Sequence, residues 1–490
     1  MSQRPNIIYI LADDQGHGDA TCYNPNCKAP TPRIDQLARE GCRFTDAHTS
    51  SAVCTPTRYS VLTGRYNWRS WMKRGVLAGH SPMLLEPDHP TVAAFLQQHG
   101  YRTACIGKWH LGLGWQTTDG EPFPREHITS FPLEPLERID FRKPVTEGPN
   151  DFGFDESLII PSSLDIPPYV YLENGSPTGV PSEQNMLGVD TPYLMRQGPA
   201  VPGMKAEDVL PTFKDRVVQF IDDHAQSDND QPFFIYFPLT APHTPIVPIA
   251  EYRGTTPIGL YGDFITQIDA VVGEVLDALQ RNDLADDTLV IYTSDNGASP
   301  AVRLDELAAQ GHEANWPWRG TKADLYEGGH RVPFVARWPN GIPAGQVCEQ
   351  TICTTDLFAT VAGILNQPLP ESAGEDSADL SPVWRGEHDA DGDAPPLREA
   401  IVHHSVSGHF AIRRGKWKLL EARGSGGWSF PKEHVAAEAN LPEHQLYDLE
   451  QDPREQANLI HRHPDVAEEL RALLDRYRNE ARSVPAGAAS

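Results

Sequence analysis

The stretch AVCTPTRYSVLTG sets a cysteine two residues ahead of a proline and four ahead of an arginine: Cys54, Pro56 and Arg58. An unpaired cysteine is most often a small buried hydrophobe, but that reading leaves the fixed offsets unexplained. Two further runs end in oxygen-bearing side chains. NIIYILADD closes on Asp13 and Asp14, and TLVIYTSDNG closes on Asp295 and Asn296. Either pair alone reads as a turn-forming dipeptide. Together, at the ends of two separate apolar runs, they favour hard oxygen ligation of Ca²⁺ or Mg²⁺. Cationic groups recur nearby in type. GYRTACIGKWHLG carries Lys108 and His110, which would share one side of an extended segment; APHTP carries His243 and WRGTKADLYEGG carries Lys322. Singly, each is a solvated or hydrogen-bonded side chain. Around a divalent metal, and with Arg58, they become a set with a common purpose.

The elements that must position these residues read as an α/β fold. The runs 6–14, 232–243 and 288–297 are apolar and β-branched, as buried parallel strands are. Between the last two, Ile265, Ile268, Val272, Val275 and Leu279 recur at three- and four-residue steps on one helical face. TVAAFLQQHG predicts another helix, closed by Gly100 and feeding a strand around Cys105 and Ile106. Alternation of strands and helices implies a large, mostly parallel sheet sandwiched by helices. In such sheets ligands bind beyond the carboxyl ends of the strands, where Asp13, Asp14, His243, Asp295 and Asn296 fall. Residues 115–210 are rich in Pro and Gly and predict long loops walling that site. The acidic stretch after residue 367 predicts a boundary, giving a catalytic domain at 1–375 and a smaller one at 376–490. In the latter AIVHHS, HFAIRRGKWKLLEA and HQLYDLE read as antiparallel strands and PDVAEELRALLDRYRNEA as a terminal helix.

The 490 residues carry a formal net charge of -26. That argues against nucleic acid or an anionic membrane surface as partner, since phosphate binding needs a basic footprint. An anionic substrate would need a local cationic pocket. Seven scattered cysteines form no disulfide framework, and Cys22, Cys27 and Cys42 match no common zinc spacing. No run approaches the roughly 18 apolar residues of a membrane span, and none resembles a signal peptide. The sequence as it stands predicts a cytoplasmic protein, or a periplasmic or secreted one if an export segment has been removed.

The whole pattern resembles a type I, formylglycine-dependent sulfatase of the alkaline phosphatase-like superfamily. AVCTPTRYSVLTG fits that family's C-x-P-x-R signature and GYRTACIGKWHLG its second signature, and the other elements follow in the same order over nearly the whole chain. The resemblance implies that a formylglycine-generating enzyme oxidises Cys54, which would answer why proline and arginine follow it. It further implies that Asp13, Asp14, Asp295, Asn296 and the modified residue 54 bind Ca²⁺, with Mg²⁺ an alternative. A hydroxyl of the hydrated aldehyde would attack sulfur with Asp295 as base, and Arg58 would hold the nucleophile and the carboxylates. Lys108, His243 and Lys322 would clamp the sulfuryl oxygens. His243 or Lys322 would protonate the leaving alcohol, and His110 would take the last proton to expel sulfate. A family serine matches Ser163, with Ser162 as the alternative. Some arylsulfatases of the family carry a histidine directly after that serine. Leu164 stands there, a departure from a purely arylsulfatase-like pocket.

Fold and chemistry do not set the leaving group. HEANWPWRGTKADLYEGGHRVPFVARWP resembles members acting on carbohydrate sulfates, including 6-sulfated galactose or N-acetylgalactosamine, more than choline or alkyl sulfatases. The expectation is therefore a carbohydrate sulfatase with some aryl sulfatase activity on a small sulfated substrate. Trp115, Trp316, Trp318, His312 and His404 are candidates for a sugar-stacking wall, against a plainer reading as packing. A loop around His403–His409 is a candidate to reach the pocket. Two rivals stand beside this reading: a phosphonate monoester or phosphodiester hydrolase of the same superfamily, and a binding protein whose Cys54 is never converted.

Overall fold

Apolar, β-branched runs become the four parallel strands at the middle of the molecule: β1 (Asn6–Ala12), β2 (Arg102–Lys108), β3 (Phe233–Pro238) and β4 (Thr288–Ser294). They lie side by side in the order β4–β1–β3–β2. Every residue of β1, β3 and β4 is buried, because both faces are covered and neither calls for polar alternation. Ile7, Tyr9 and Leu11 enter one apolar core; Ile8, Ile10 and Ala12 enter the other. The structure, a computed structural model, describes residues 4–125, 136–186, 195–227, 230–386 and 396–485.

Within these residues the sheet has ten strands. Beyond β4 lie Phe334–Arg337, antiparallel to it, then Cys42–Phe44 and Gln346–Cys348; beyond β2 lies Glu156–Ile160, parallel to it, then two short strands. Glu156–Ile160 corrects the expectation of loops throughout 115–210. Its five residues pair along β2 from Ala104 to Lys108, a run too short to stand out from Pro- and Gly-rich surroundings.

One face of the sheet carries α1 (Cys54–Thr63), whose Tyr59, Val61 and Leu62 join the first core. The other carries α2 (Val209–Gln226) and α3 (Leu260–Arg281). Helix α3 buries Ile265, Ile268, Val272, Val275 and Leu279, the stripe read from the sequence. The shorter helix at Val92–Gln98 is capped by Thr91, whose hydroxyl accepts from Ala94 N, and Gly100 follows with φ +80°.

After residue 400 the chain builds a four-stranded antiparallel sheet in sequence order: β5 (Ile401–His404), β6 (Phe410–Arg414), β7 (Trp417–Leu420) and β8 (Gln445–Asp448). Helix α4 (Pro464–Asn479) covers it, packing Leu470, Leu473 and Leu474 on Val402, Ile412 and Leu419. Part of the acidic stretch expected as a boundary, 387–395, lies outside the described residues. The small sheet meets the large one through a buried polar cluster. Lys418 Nζ sits 2.9 Å from both Glu327 and Glu455 and 3.1 Å from His330 Nε2. His330 Nδ1 lies 3.0 Å from His48 Nδ1, and His48 Nε2 lies 2.8 Å from Asp46, which Arg413 also holds at 2.7 Å.

Candidate active site

Register sets the oxygen donors side by side. β1 and β4 pair from Asn6 with Thr288 to Ala12 with Ser294, so Asp13–Asp14 and Asp295–Asn296 leave the sheet together. Asp14 N donates to Asp295 Oδ1 at 3.1 Å, and Asn296 Nδ2 donates to Asp14 Oδ1 at 2.7 Å. Asn296 Oδ1 is buried and accepts no hydrogen bond. A leftover amide oxygen among three carboxylates is the chemistry a hard divalent cation prefers. Asp13, Asp14, Cys54 and His243 also bring possible ligand atoms within 4.8 Å of one another. These residues fit a metal.

The cations close on the same point. Lys108 ends β2 and its Nζ reaches both oxygens of Asp13, at 2.9 and 2.8 Å. Gly107 before it is required: a Cβ there would stand 1.9 Å from Pro238 O on β3, at φ +139°. Arg58, on the first turns of α1, donates from Nε and Nη2 to Asp295 Oδ2 at 3.0 and 2.7 Å and from Nη1 to Lys108 O at 3.0 Å. Lys322 Nζ lies 2.6 Å from Asp14 Oδ1 and 3.3 Å from Cys54 Sγ. His243 Nε2 stands 3.6 Å from Asp14 Oδ2, while its Nδ1 donates to Thr244 O at 2.7 Å. Three non-glycine residues here hold left-handed backbone, Asp14 (φ 64°), His110 (φ 56°) and Ala323 (φ 81°). Such strain persists only where the surroundings over-determine it.

Burial and charge set the protonation states in opposite ways. Burial pushes the Asp13 carboxyl up, but Lys108, His243, Arg58 and Lys322 outweigh it and hold it well below the usual range. Asp295 is raised by burial and by the charge of Asp13, against Arg58 and Lys108. Burial works against the His243 imidazolium, yet Asp14 and Asp13 lift it to about 9. Lys322 is likewise held cationic against burial, chiefly by Asp14. Burial, then Lys108 and Arg58, drive His110 well below 6.5, so it is neutral. Its Nε2 is tied to Leu77 O at 2.8 Å and its Nδ1 is buried without a partner. A neutral imidazole with a bare nitrogen accepts a proton, and a cationic one donates.

Above this layer opens a cavity of about 420 Å³, bordered by Cys54, His110, Ser163, His243 and Lys322. Cys54 lies at the amino end of α1, where the helix dipole favours an anion. Of the two serines weighed from the sequence, Ser163 borders the cavity and its hydroxyl bonds Asp165. Ser162 is buried and does not border it. Lys108 and His110 are not joined by extended backbone, because His110 turns left-handed immediately after the strand.

His312 does not border this cavity, which corrects its expected place in substrate binding. It is fully buried, with Nε2 2.8 Å from Asp19 and Nδ1 accepting from Lys28 N at 3.3 Å. Trp115 donates to Gly79 O and packs on Phe141, Trp318 stacks under Arg331, and Trp316 and His404 are likewise absent from the cavity wall. The segment around His403–His409 does reach it, through Val406 and Ser407. Sequence reading missed Arg74, Asp165, Arg196 and Trp428, which also border it. Only Asp165 carried a local hint, two residues beyond Ser163.

Residues 5–367 match the sulfatase family model, and residues 316–480 match the family described as N-sulphoglucosamine sulphohydrolase, C-terminal. The chain is 32% identical over 510 residues to an N-acetylgalactosamine-6-O-sulfatase of Bacteroides thetaiotaomicron, covering 97% of this chain and 93% of that one. It is 33% identical over 478 residues to arylsulfatase A of Homo sapiens, covering 94% and 84%. Among solved structures, one from work on the metabolism of multiple glycosaminoglycans by Bacteroides thetaiotaomicron superposes with a TM-score of 0.81 at 31% identity, over 98% of this chain and all of that one. A phosphonate monoester hydrolase of Agrobacterium radiobacter shares the fold, at a TM-score of 0.58 and 20% identity over 97% and 95% of the chains. With its catalytic-type residues gathered at the strand ends and these matches running almost end to end, the chain belongs to the sulfatase family and is a sulfuric ester hydrolase.

Proposed function

We propose that this sulfatase removes sulfate from a sulfated carbohydrate of the 6-sulfated galactose or N-acetylgalactosamine type, using Ca²⁺ and a formylglycine made from Cys54. The observation that supports the substrate is the nearly full-length likeness to an N-acetylgalactosamine-6-O-sulfatase. Asp13, Asp14, Asp295 and Asn296, with residue 54, would hold the cation. When bound it would polarise a sulfuryl oxygen, and formylglycine would supply an oxygen nucleophile.

The chain's own side chains do the rest. Lys322 and the His243 imidazolium face the cavity and neutralise a sulfate ester as it enters. Lys108 and Arg58 hold Asp13 and Asp295 in fixed orientation, so the donors are set before charge develops. His243, cationic and at the cavity wall, is placed to protonate a leaving alcohol; His110, neutral with Nδ1 bare, is placed to accept a proton.

The test is sulfate release from N-acetylgalactosamine 6-sulfate against its 4-sulfate isomer, on protein whose residue-54 peptide shows by mass that the thiol has become an aldehyde. Preference for the 6-sulfate is expected. Equal rates on both isomers, or release from aryl sulfates alone, would overturn the substrate assignment.

A further inference from the structure

The cavity has two walls of different origin. The catalytic side chains come from the large sheet, and one aromatic, Trp428, comes from the loop between β7 and β8. Trp428 is 42% exposed although it borders the cavity. An indole so open to solvent contributes little to packing, and here its backbone is held with unusual care. Trp428 N and Ser429 N both donate to Asp324 Oδ1, at 2.7 and 2.9 Å, and the Ser429 hydroxyl bonds the other Asp324 oxygen. Gly427 lies so close to the 323–325 segment that a Cβ would stand 2.2 Å from Ala323 O. Leu325 N donates to Ser425 O at 2.8 Å.

Asp324 itself belongs to the turn that presents Lys322. Thr321 N donates to Asp324 Oδ2 at 2.8 Å, and Ala323 N donates to Ala52 O at 2.7 Å. One turn therefore aims a cation at the sulfate end of the cavity and anchors an aromatic ring at its mouth. The same cavity is also bordered by Asp165 and Arg196, which are ion-paired.

Resting on the carbohydrate reading above, we propose that Trp428 is a specificity-determining residue: its ring takes the C–H face of the pyranose that bears the sulfate, while Asp165 and Arg196 meet hydroxyls at the ring's edge. A pyranose has one face of C–H bonds and a rim of hydroxyls, and an aromatic face is the electron-rich partner such C–H groups prefer. An acceptor and a donor side by side suit the rim.

The experiment compares wild type, Trp428→Ala and Trp428→Phe on N-acetylgalactosamine 6-sulfate, with inorganic sulfate as competitive inhibitor of each. Trp428→Ala is expected to raise KM about tenfold, the scale of one lost aromatic stacking contact, with Trp428→Phe restoring most of the loss. The inhibition constant of inorganic sulfate, which touches only the anion clamp, should stay within about twofold by the same scale. An unchanged KM in Trp428→Ala overturns the inference. So does equal weakening of inorganic sulfate, which would mean that the loop merely supports the Lys322 turn. A wild-type enzyme that cleaves aryl sulfates but no sugar sulfate would instead bring down the carbohydrate reading, and this inference with it.

Discussion

Two buried polar clusters stand in this molecule, similar in composition and opposite in construction. The first gathers Asp13, Asp14 and Asp295 with Arg58, Lys108, Lys322 and His243 at the strand ends. The second gathers Asp46, Glu327 and Glu455 with Lys418, Arg331, Arg413 and three histidines between the two sheets. The first borders a cavity and leaves Asn296 Oδ1 and His110 Nδ1 unpaired. Of the second, Arg413 borders a different cavity that the other members do not line, and His403 Nε2, Glu455 Oε1 and Arg331 Nε are likewise buried without a hydrogen bond. Its His330 and His403 rings stack at 3.7 Å and 12°, and Lys418, Arg331 and Arg413 already pair with its carboxylates. Charge type therefore does not distinguish a reactive cluster from a structural one. What does is that Cys54, His110, His243 and Lys322 together face one cavity.

Removing the proposed precursor of the nucleophile from the open cluster should cost activity alone. Cys54→Ala is expected to lower sulfate release on the order of a thousandfold or more, as loss of a nucleophile does. The unfolding midpoint should move by only a few degrees, roughly the shift from losing one small buried group. A large drop in that midpoint would erase the contrast between the clusters. Chelation should fall on the same side. Treatment with a calcium chelator is expected to reduce turnover by roughly a hundredfold or more, and added Ca²⁺ should restore it while raising the unfolding temperature, as any ligand of the native state does.

The second cluster should respond in stability. Lys418→Met leaves Glu327 and Glu455 facing each other without their shared cation, and truncating one partner of a buried pair costs about 3–5 kcal/mol. Denaturant unfolding measures this, and the surviving folded enzyme should keep most of its turnover. Loss of turnover at unchanged stability would place Lys418 in the chemistry instead.

The smallest effect is a pH dependence. Burial, aided by neighbouring cations, lowers His48, His330 and His403 below the usual histidine range. The unfolded chain thus takes up protons near about pH 6.5 while the folded one does not, and their contribution, present above that value, is lost as pH falls. Glu327 is raised by burial but held low by Lys418, so its contribution is lost in acid too. Glu455 runs the other way: burial and then Glu327 raise it to about 7 against Lys418, so its contribution is full in acid and lost as pH rises. Three histidines outweigh one glutamate, and the cluster's net contribution to stability should fall from about pH 7 to about pH 5. His403→Gln should flatten that slope; an unchanged slope would show that other groups set it.

The contrast also marks what could be read from the chain. The oxygen donors were legible because strands buried on both faces are continuous apolar runs, and a polar pair at the end of such a run can only lie at the sheet's edge. Stripe spacing placed α3 for the same local reason. His312 misled because its partner, Asp19, lies 293 positions away, and nothing in HEANWPW announces it. The second cluster was invisible for that reason too: His48, Glu327, His403 and Lys418 come from four separate segments.

Sequence alone determined the types and local order of the candidate site groups: Cys54 four residues before Arg58, paired acids at strand ends, a lysine two residues before a histidine. Those are facts of spacing, and over a few residues spacing is geometry. The tertiary structure alone decided which distant groups meet. It turned His110 left-handed after β2, gave His312 to Asp19, set one polar cluster between the sheets, and brought Trp428 from the second sheet to the mouth of a site built by the first. Packing of whole elements sets those distances, and no short pattern encodes them.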